Sequence, residues 1–98
     1  MLLGWFNAKE AHRFGGDLAR FFIERMPLTH EKTDKKFAAK AQKLLTKIDI
    51  DVQRFKASHP LNIYTRARLG QQFKWTLKDS GYDPTYVDEL TAWLVKRL

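Results

Sequence analysis

The chain has 98 residues, 44% of them hydrophobic and 13% aromatic, with 18 basic against 11 acidic side chains for a net charge of +7. That is the size of one domain, 1–98, with ample material for a core, which excludes a disordered chain. Cysteine is absent, which excludes disulfides, thiolate catalysis and cysteine-based zinc sites, and fits a reducing compartment.

The apolar run Met1–Phe6 is shorter than the core of a signal peptide, and no basic residue precedes it. No stretch approaches the roughly 20 apolar residues that span a bilayer. The expectation is a cytoplasmic protein without a transmembrane segment. Three stretches, "MPLTHEKTD", "SHPLN" and "SGYDP", punctuate the helical patterns, and no alternating run or Asn-Gly turn signals a strand. The expected fold is all-α: a compact bundle of about four helices over residues 7–25, 33–57, 61–79 and 84–97, without β-sheet.

The first helix is expected to start at Asn7, with Glu10 as its capping-box partner, and to end before Pro27. Ala8, Ala11, Phe14, Gly15, Leu18, Phe21, Phe22 and Met26 share one face, opposite Lys9, Glu10, Arg13, Asp17, Arg20 and Glu24. Gly15 and Gly16 each cost about 1 kcal/mol relative to alanine in a helix. A packing reason keeps Gly15: Ala11, Gly15 and Ala19 form a flat strip at i, i+4, i+8 that lets another helix come close. A phosphate-cradling glycine loop would need a preceding strand and a longer glycine pattern.

The second helix carries the seam Phe37, Ala41, Leu44, Leu45, Ile48, Val52 and Phe55. At about 1.5 Å per residue it is roughly 36–40 Å long, long enough to leave one end projecting. Pro60 ends it. The third helix places Ile63, Leu69, Gly70, Phe73 and Leu77 on one face. Tyr64, Gln71 and Trp75, with Arg68, form a second stripe, the pattern of a helix sandwiched in a bundle. Gly81 is expected in the left-handed conformation just beyond it. The fourth helix has Asp83 as N-cap and Pro84 at the first position, with Asp88 and Glu89 toward the positive end of the dipole. Val87, Leu90, Thr91, Leu94 and Leu98 face inward, and Lys96 and Arg97 suit the C-terminal end.

The catalytic inventory is thin. Ser58 and His59 are sequence neighbours that would not face each other on a helix. His30 and Asp34 could offer two metal ligands where zinc needs three or four. His12 sits at the edge of an apolar face, as a half-buried packing residue does. Asp49 and Asp51 point apart around their helix, and Asp88 with Glu89 reads as dipole compensation. No catalytic, cofactor or metal residue is expected, and no enzymatic activity.

Charge is unevenly placed. Residues 28–59 hold eight Lys or Arg against four carboxylates, more than half of the net excess. Within "KKFAAKAQKLLTK", Lys36, Lys40, Lys43 and Lys47 fall within about 60° of one another on the wheel, and Arg54 extends the line. This ridge flanks the apolar seam. Its three like-charge neighbours cost only about 0.2–0.5 kcal/mol each, so a solvated face and an anionic-partner surface are both consistent with it. Nucleic acid bound there would be held without sequence preference, because side chains for bidentate base contacts are missing. Its log affinity would fall against log salt with a slope of about −3 to −4.

Three further patterns carry alternatives. "FKWTLKDSGYDPTYVDEL" has the outline of a helix-turn-helix, but its second helix opens on Pro84, Thr85 and Tyr86, which suits an ordinary helical hairpin better. Tyr64, Arg68 and Trp75 could stack bases or form a second core face. Trp5 and Phe6 could touch a membrane surface or cover the bundle end.

The function expected on these grounds is a small, basic protein-interaction or accessory module, self-associating through helices 2 and 3 or binding another protein. The alternative is a sequence-indifferent nucleic-acid or anionic-surface binder using Lys36, Lys40, Lys43, Lys47 and Arg54. Peripheral membrane contact ranks third.

Overall fold

The computed structural model describes residues 2–26 and 35–98, and for residues 2–7 the backbone alone. Four helices follow one another: α1 (Leu2–Arg25), α2 (Lys35–Ser58), α3 (Ile63–Asp79) and α4 (Pro84–Val95). No strand occurs among the described residues. The fold is an all-α bundle, as the periodicity predicts.

Helix α1 begins earlier than the Asn7 cap predicts, with the backbone helical from Leu2. Nothing in Leu2–Phe6 forbids helix, and an interior asparagine costs less than about 1 kcal/mol, so a plausible cap lies inside the helix. The alternatives for the Trp5 and Phe6 side chains fall outside the described residues. So do the start of α2 before Lys35 and the His30–Asp34 pair.

The small-residue strip on α1 does what its spacing predicts. Ala11 and Ala19 are fully buried, and α1 and α3 pack closely along it. A β-carbon on Gly15 would lie 3.1 Å from the Leu69 carbonyl carbon and 3.3 Å from its Cα, with the carbonyl oxygen nearer still. Helix α3 therefore touches α1 backbone to backbone, and α4 packs against α3 as well.

Local chemistry sets the ends of α3 and α4. Asn62 caps α3 reciprocally: its Oδ1 accepts the Thr65 N–H at 2.8 Å, and Thr65 Oγ1 accepts the Asn62 N–H at 2.8 Å. Thr65 is buried in the same row as Leu69, Phe73 and Leu77, its hydroxyl satisfied by the cap. Gly81 takes φ 101°, the left-handed turn expected after α3. Asp83 caps α4, accepting the Tyr86 N–H at 3.1 Å, with Pro84 following. Arg97 donates to the Trp93 carbonyl at 3.0 Å, closing the C-terminal end.

Phe22, Phe73, Ile48, Leu69, Leu77, Leu94 and Val52 are the largest apolar side chains fully withdrawn from water. Phe22 stands at the centre of an aromatic cluster, with ring centroids 5.7 Å from Tyr82 and 6.3 Å from Tyr86, while Phe37 meets Tyr86 at 5.7 Å. Helix α2 is anchored at both ends, by Phe37 on Tyr86 and by Phe55 stacked on Phe14 at 4.2 Å.

Buried Tyr82 donates its hydroxyl to the Met26 carbonyl at 2.6 Å, tying the turn before α4 to the end of α1. Burial, with a smaller contribution from Tyr86, pushes its phenol up to about 12, and Tyr86 is raised mainly by burial as well. A phenol whose folded-state pKa is raised stabilises the fold below its unfolded value near 10 and loses that contribution as pH climbs toward 12. Tyr82→Phe is therefore expected to flatten the stability loss between those pH values, read from urea midpoints. Near neutral pH it should cost about 1–2 kcal/mol for the Met26 carbonyl left without its donor.

Candidate functional site

The residues of the expected lysine ridge lie on one helix. Lys36, Lys40, Lys43, Lys47 and Arg54 are all exposed on α2. Lys47 is engaged by Asp51 at 3.0 Å, and Lys36 also has a partner. A shallow groove of about 530 Å³ runs beside Lys36, Ala39, Lys40, Lys43 and Leu44. The two carboxylates of the segment diverge: Asp51 pairs with Lys47, whereas Asp49 accepts from Gln53 at 3.2 Å and lies 3.8 Å from Arg97. Changing Lys36, Lys40, Lys43 and Lys47 to glutamine is expected to move stability by no more than about 1 kcal/mol, since each exposed pair is worth only a few tenths. Thermal melting by circular dichroism checks this.

Ser58 and His59 do meet, contrary to the reading of neighbours on one helix. His59 closes the last turn of α2, its N–H donating to the Phe55 carbonyl at 2.7 Å, and its Nδ1 lies 2.9 Å from Ser58 Oγ. The same hydroxyl is 3.4 Å from the Arg54 and Phe55 carbonyls, and the imidazole stacks on Phe55 at 4.3 Å. These are contacts that finish a helix end. Asp88 departs from its predicted role too. It lies beyond the first turn of α4, where the dipole's pull has faded, and pairs instead with Lys74 at 3.3 Å. Among the described residues, no group of three or more His, Asp or Glu is placed to hold a metal ion. No described helix is long and apolar enough to cross a membrane.

The second stripe of α3 is not a core face. Tyr64 and Trp75 are 61% and 50% exposed, and Ile63, assigned to the inner face, is 85% exposed. The reason is positional. The inward arc of α3 is set by Thr65, Leu69, Gly70, Phe73 and Leu77, and α1 and α4 occupy it without reaching the opposite side. Nor do Tyr64, Arg68 and Trp75 assemble a stacking platform. Tyr64 and Arg68 line a small cleft of about 200 Å³ against Ala8, Lys9 and His12 of α1, while Trp75, about 16 Å along the axis from Tyr64, lines a different cavity. In that cleft His12 is half-buried, as expected, and Arg68 Nε is buried without a hydrogen-bond partner among the described residues.

The other cavity is a surface feature that hydrophobic spacing did not isolate. Between α3 and α4 lies a groove of about 640 Å³. Ile63, Ala67, Gly70, Trp75 and Val95 give its apolar lining, Gln71 and Thr91 neutral polar groups, and Arg66, Lys74 and Lys78 its charge. Val95 is 41% exposed, and the Lys78 ammonium stands 5.4 Å from the Trp75 ring centroid. The signal was available in part: positions 63, 66, 67, 70, 71, 74, 75 and 78 recur at three- and four-residue steps. What the spacing lacked was any indication that no other described element covers them.

Two surfaces thus compete for a functional role, and their magnitudes differ. The lysine ridge costs the fold about 1 kcal/mol of mutual repulsion and is otherwise at ease in water. Covering the exposed parts of Ile63, Trp75 and Val95 would release roughly 3–4 kcal/mol by apolar transfer. No protein-family model matches the chain, and neither does any curated protein or solved structure.

Proposed function

We propose that this chain is a non-enzymatic protein-interaction module whose contact face is the α3–α4 groove. The observation that carries the reading is the exposure of Ile63, Trp75 and Val95 around one groove. Apolar surface grouped in this way marks interaction sites more often than scattered exposed residues do. Trp75 offers an anchor of the type that dominates binding energy.

Affinity capture from nuclease-treated lysate tests this with two baits, the wild-type chain and an Ile63→Ser/Trp75→Ser variant. Partners that survive nuclease and are lost from the variant support the reading. Partners indifferent to the groove substitution overturn it. Material wholly removed by nuclease would favour the second reading, a sequence-indifferent polyanion binder working through Lys36, Lys40, Lys43, Lys47 and Arg54. That reading draws on their shared exposure along one flank of α2 and requires the salt slope of about −3 to −4.

A further inference from the structure

We infer that the groove takes an acidic amphipathic helix from a partner protein, an inference that rests on the α3–α4 groove being the contact face. Three observations lead to it. The first is charge: the lining holds Arg66, Lys74 and Lys78 and no carboxylate, and the nearby Asp88 is outside it and already paired with Lys74. A second copy of this chain would set the same three cations against themselves. The net charge of +7 adds to that repulsion, whereas carboxylates flanking an apolar stripe would be drawn in.

The second observation is that the walls are helical. All lining residues lie in α3 and α4, whose backbone N–H and C=O groups are spent on their own helices. An extended peptide would find no ladder to join and would carry unpaired backbone groups against an apolar surface. A helical ligand satisfies its own backbone and presents side chains only, the groove-docking mode of amphipathic helices. The third is length. Ile63 to Lys78 spans about 22 Å of axis, four turns, matching a ligand helix of about 15 residues. Lys74 and Lys78 sit one turn apart, with Arg66 two turns before Lys74. The ligand is therefore expected to carry two carboxylates at i, i+4 and a third two turns away, flanking apolar residues at i, i+3, i+4 and i+7. The concave shape of the groove suits a rod of this kind better than a flat lipid surface.

The test is a selection from a displayed library of helical peptides of about 15 residues, with a fixed leucine stripe and randomised polar positions. Wild-type chain is the bait and the Ile63→Ser/Trp75→Ser variant the counter-bait. Circular dichroism confirms that each bait is folded. Groove-dependent binders are expected to be enriched in Asp and Glu at the flanking positions. Against a Lys74→Glu/Lys78→Glu bait, acidic binders should lose about tenfold or more in affinity and the enrichment should invert to Lys and Arg. Groove-dependent binders without acidic enrichment would overturn the inference and leave the contact face standing. Absence of any groove-dependent binder would bring down both. Two further results overturn the acidic helix: a concentration-dependent dimer abolished by the groove substitutions, or groove-dependent binding to phosphatidylserine vesicles by a chain that selects no acidic peptide.

Discussion

Gly15→Ala is expected to cost about 3 kcal/mol, lowering Tm by roughly 12–24 °C for a chain of this length. The new methyl group has nowhere to go, because the atoms it meets belong to the Leu69 backbone rather than to a side chain that can rotate away. Helices α1 and α3 must separate along their whole contact, and the packing of Ala11 and Ala19 is lost with them. Gly16→Ala, one residue on, is expected to do the opposite. Its β-carbon would meet only the guanidinium at the far end of the exposed Arg20 side chain, at 3.2 Å, so the gain in helix propensity of up to about 1 kcal/mol should prevail. Thermal melts of the two variants side by side check both signs. Equal destabilisation would mean that helix propensity, not the α1–α3 approach, governs this segment.

Phe22→Ala is expected to cost about 4 kcal/mol, close to the whole stability of a chain whose margin is about 5–10 kcal/mol. The side chain is fully buried and supports two tyrosine rings at once. Truncation therefore leaves a cavity that also loosens the Tyr82 hydroxyl from the Met26 carbonyl. Phe22→Leu fills most of that volume and should cost less than about 1.5 kcal/mol. Urea midpoints measure both, and near-ultraviolet circular dichroism reads the order of the tyrosine cluster. An alanine variant as stable as the leucine one would show that the cluster collapses to refill the space.

How much of this was legible depends on the range of each interaction. Asp83, Pro84 and Gly81 act on their own neighbours, so residue type alone located the turn and the start of α4. The Ala11–Gly15–Ala19 strip was legible because a close backbone approach needs small residues at helical spacing. The flank occupied by Lys36, Lys40, Lys43, Lys47 and Arg54 followed from periodicity in the same way. Tyr82 was not legible: its partner Met26 is 56 residues away, and nothing local to either residue announces the bond. Thr65 escaped because a polar side chain is not counted in an apolar row, although its cap bonds satisfy its hydroxyl inside. Ile63 and Trp75 were misplaced for a third reason. Spacing says that a face is apolar, but whether another helix arrives to cover it is decided elsewhere in the chain.

The manner in which α2 joins the bundle has a consequence for how the molecule comes apart. Helices α1 and α3 meet backbone to backbone through glycine and alanine, whereas α2 joins the others through side chains, with Ile48 and Val52 fully buried. Its further ties are Phe55 on Phe14 at 4.2 Å, Phe37 on Tyr86 at 5.7 Å, the Lys56 ammonium donating to the Arg97 carbonyl at 2.9 Å, and Asp49 near Arg97 at 3.8 Å. A helix held by side chains alone can leave as a unit while its backbone-locked neighbours remain together. Native-state hydrogen exchange should accordingly resolve two tiers. The α2 amides would exchange together at a lower opening free energy, and those of α1 and α3 only on complete unfolding.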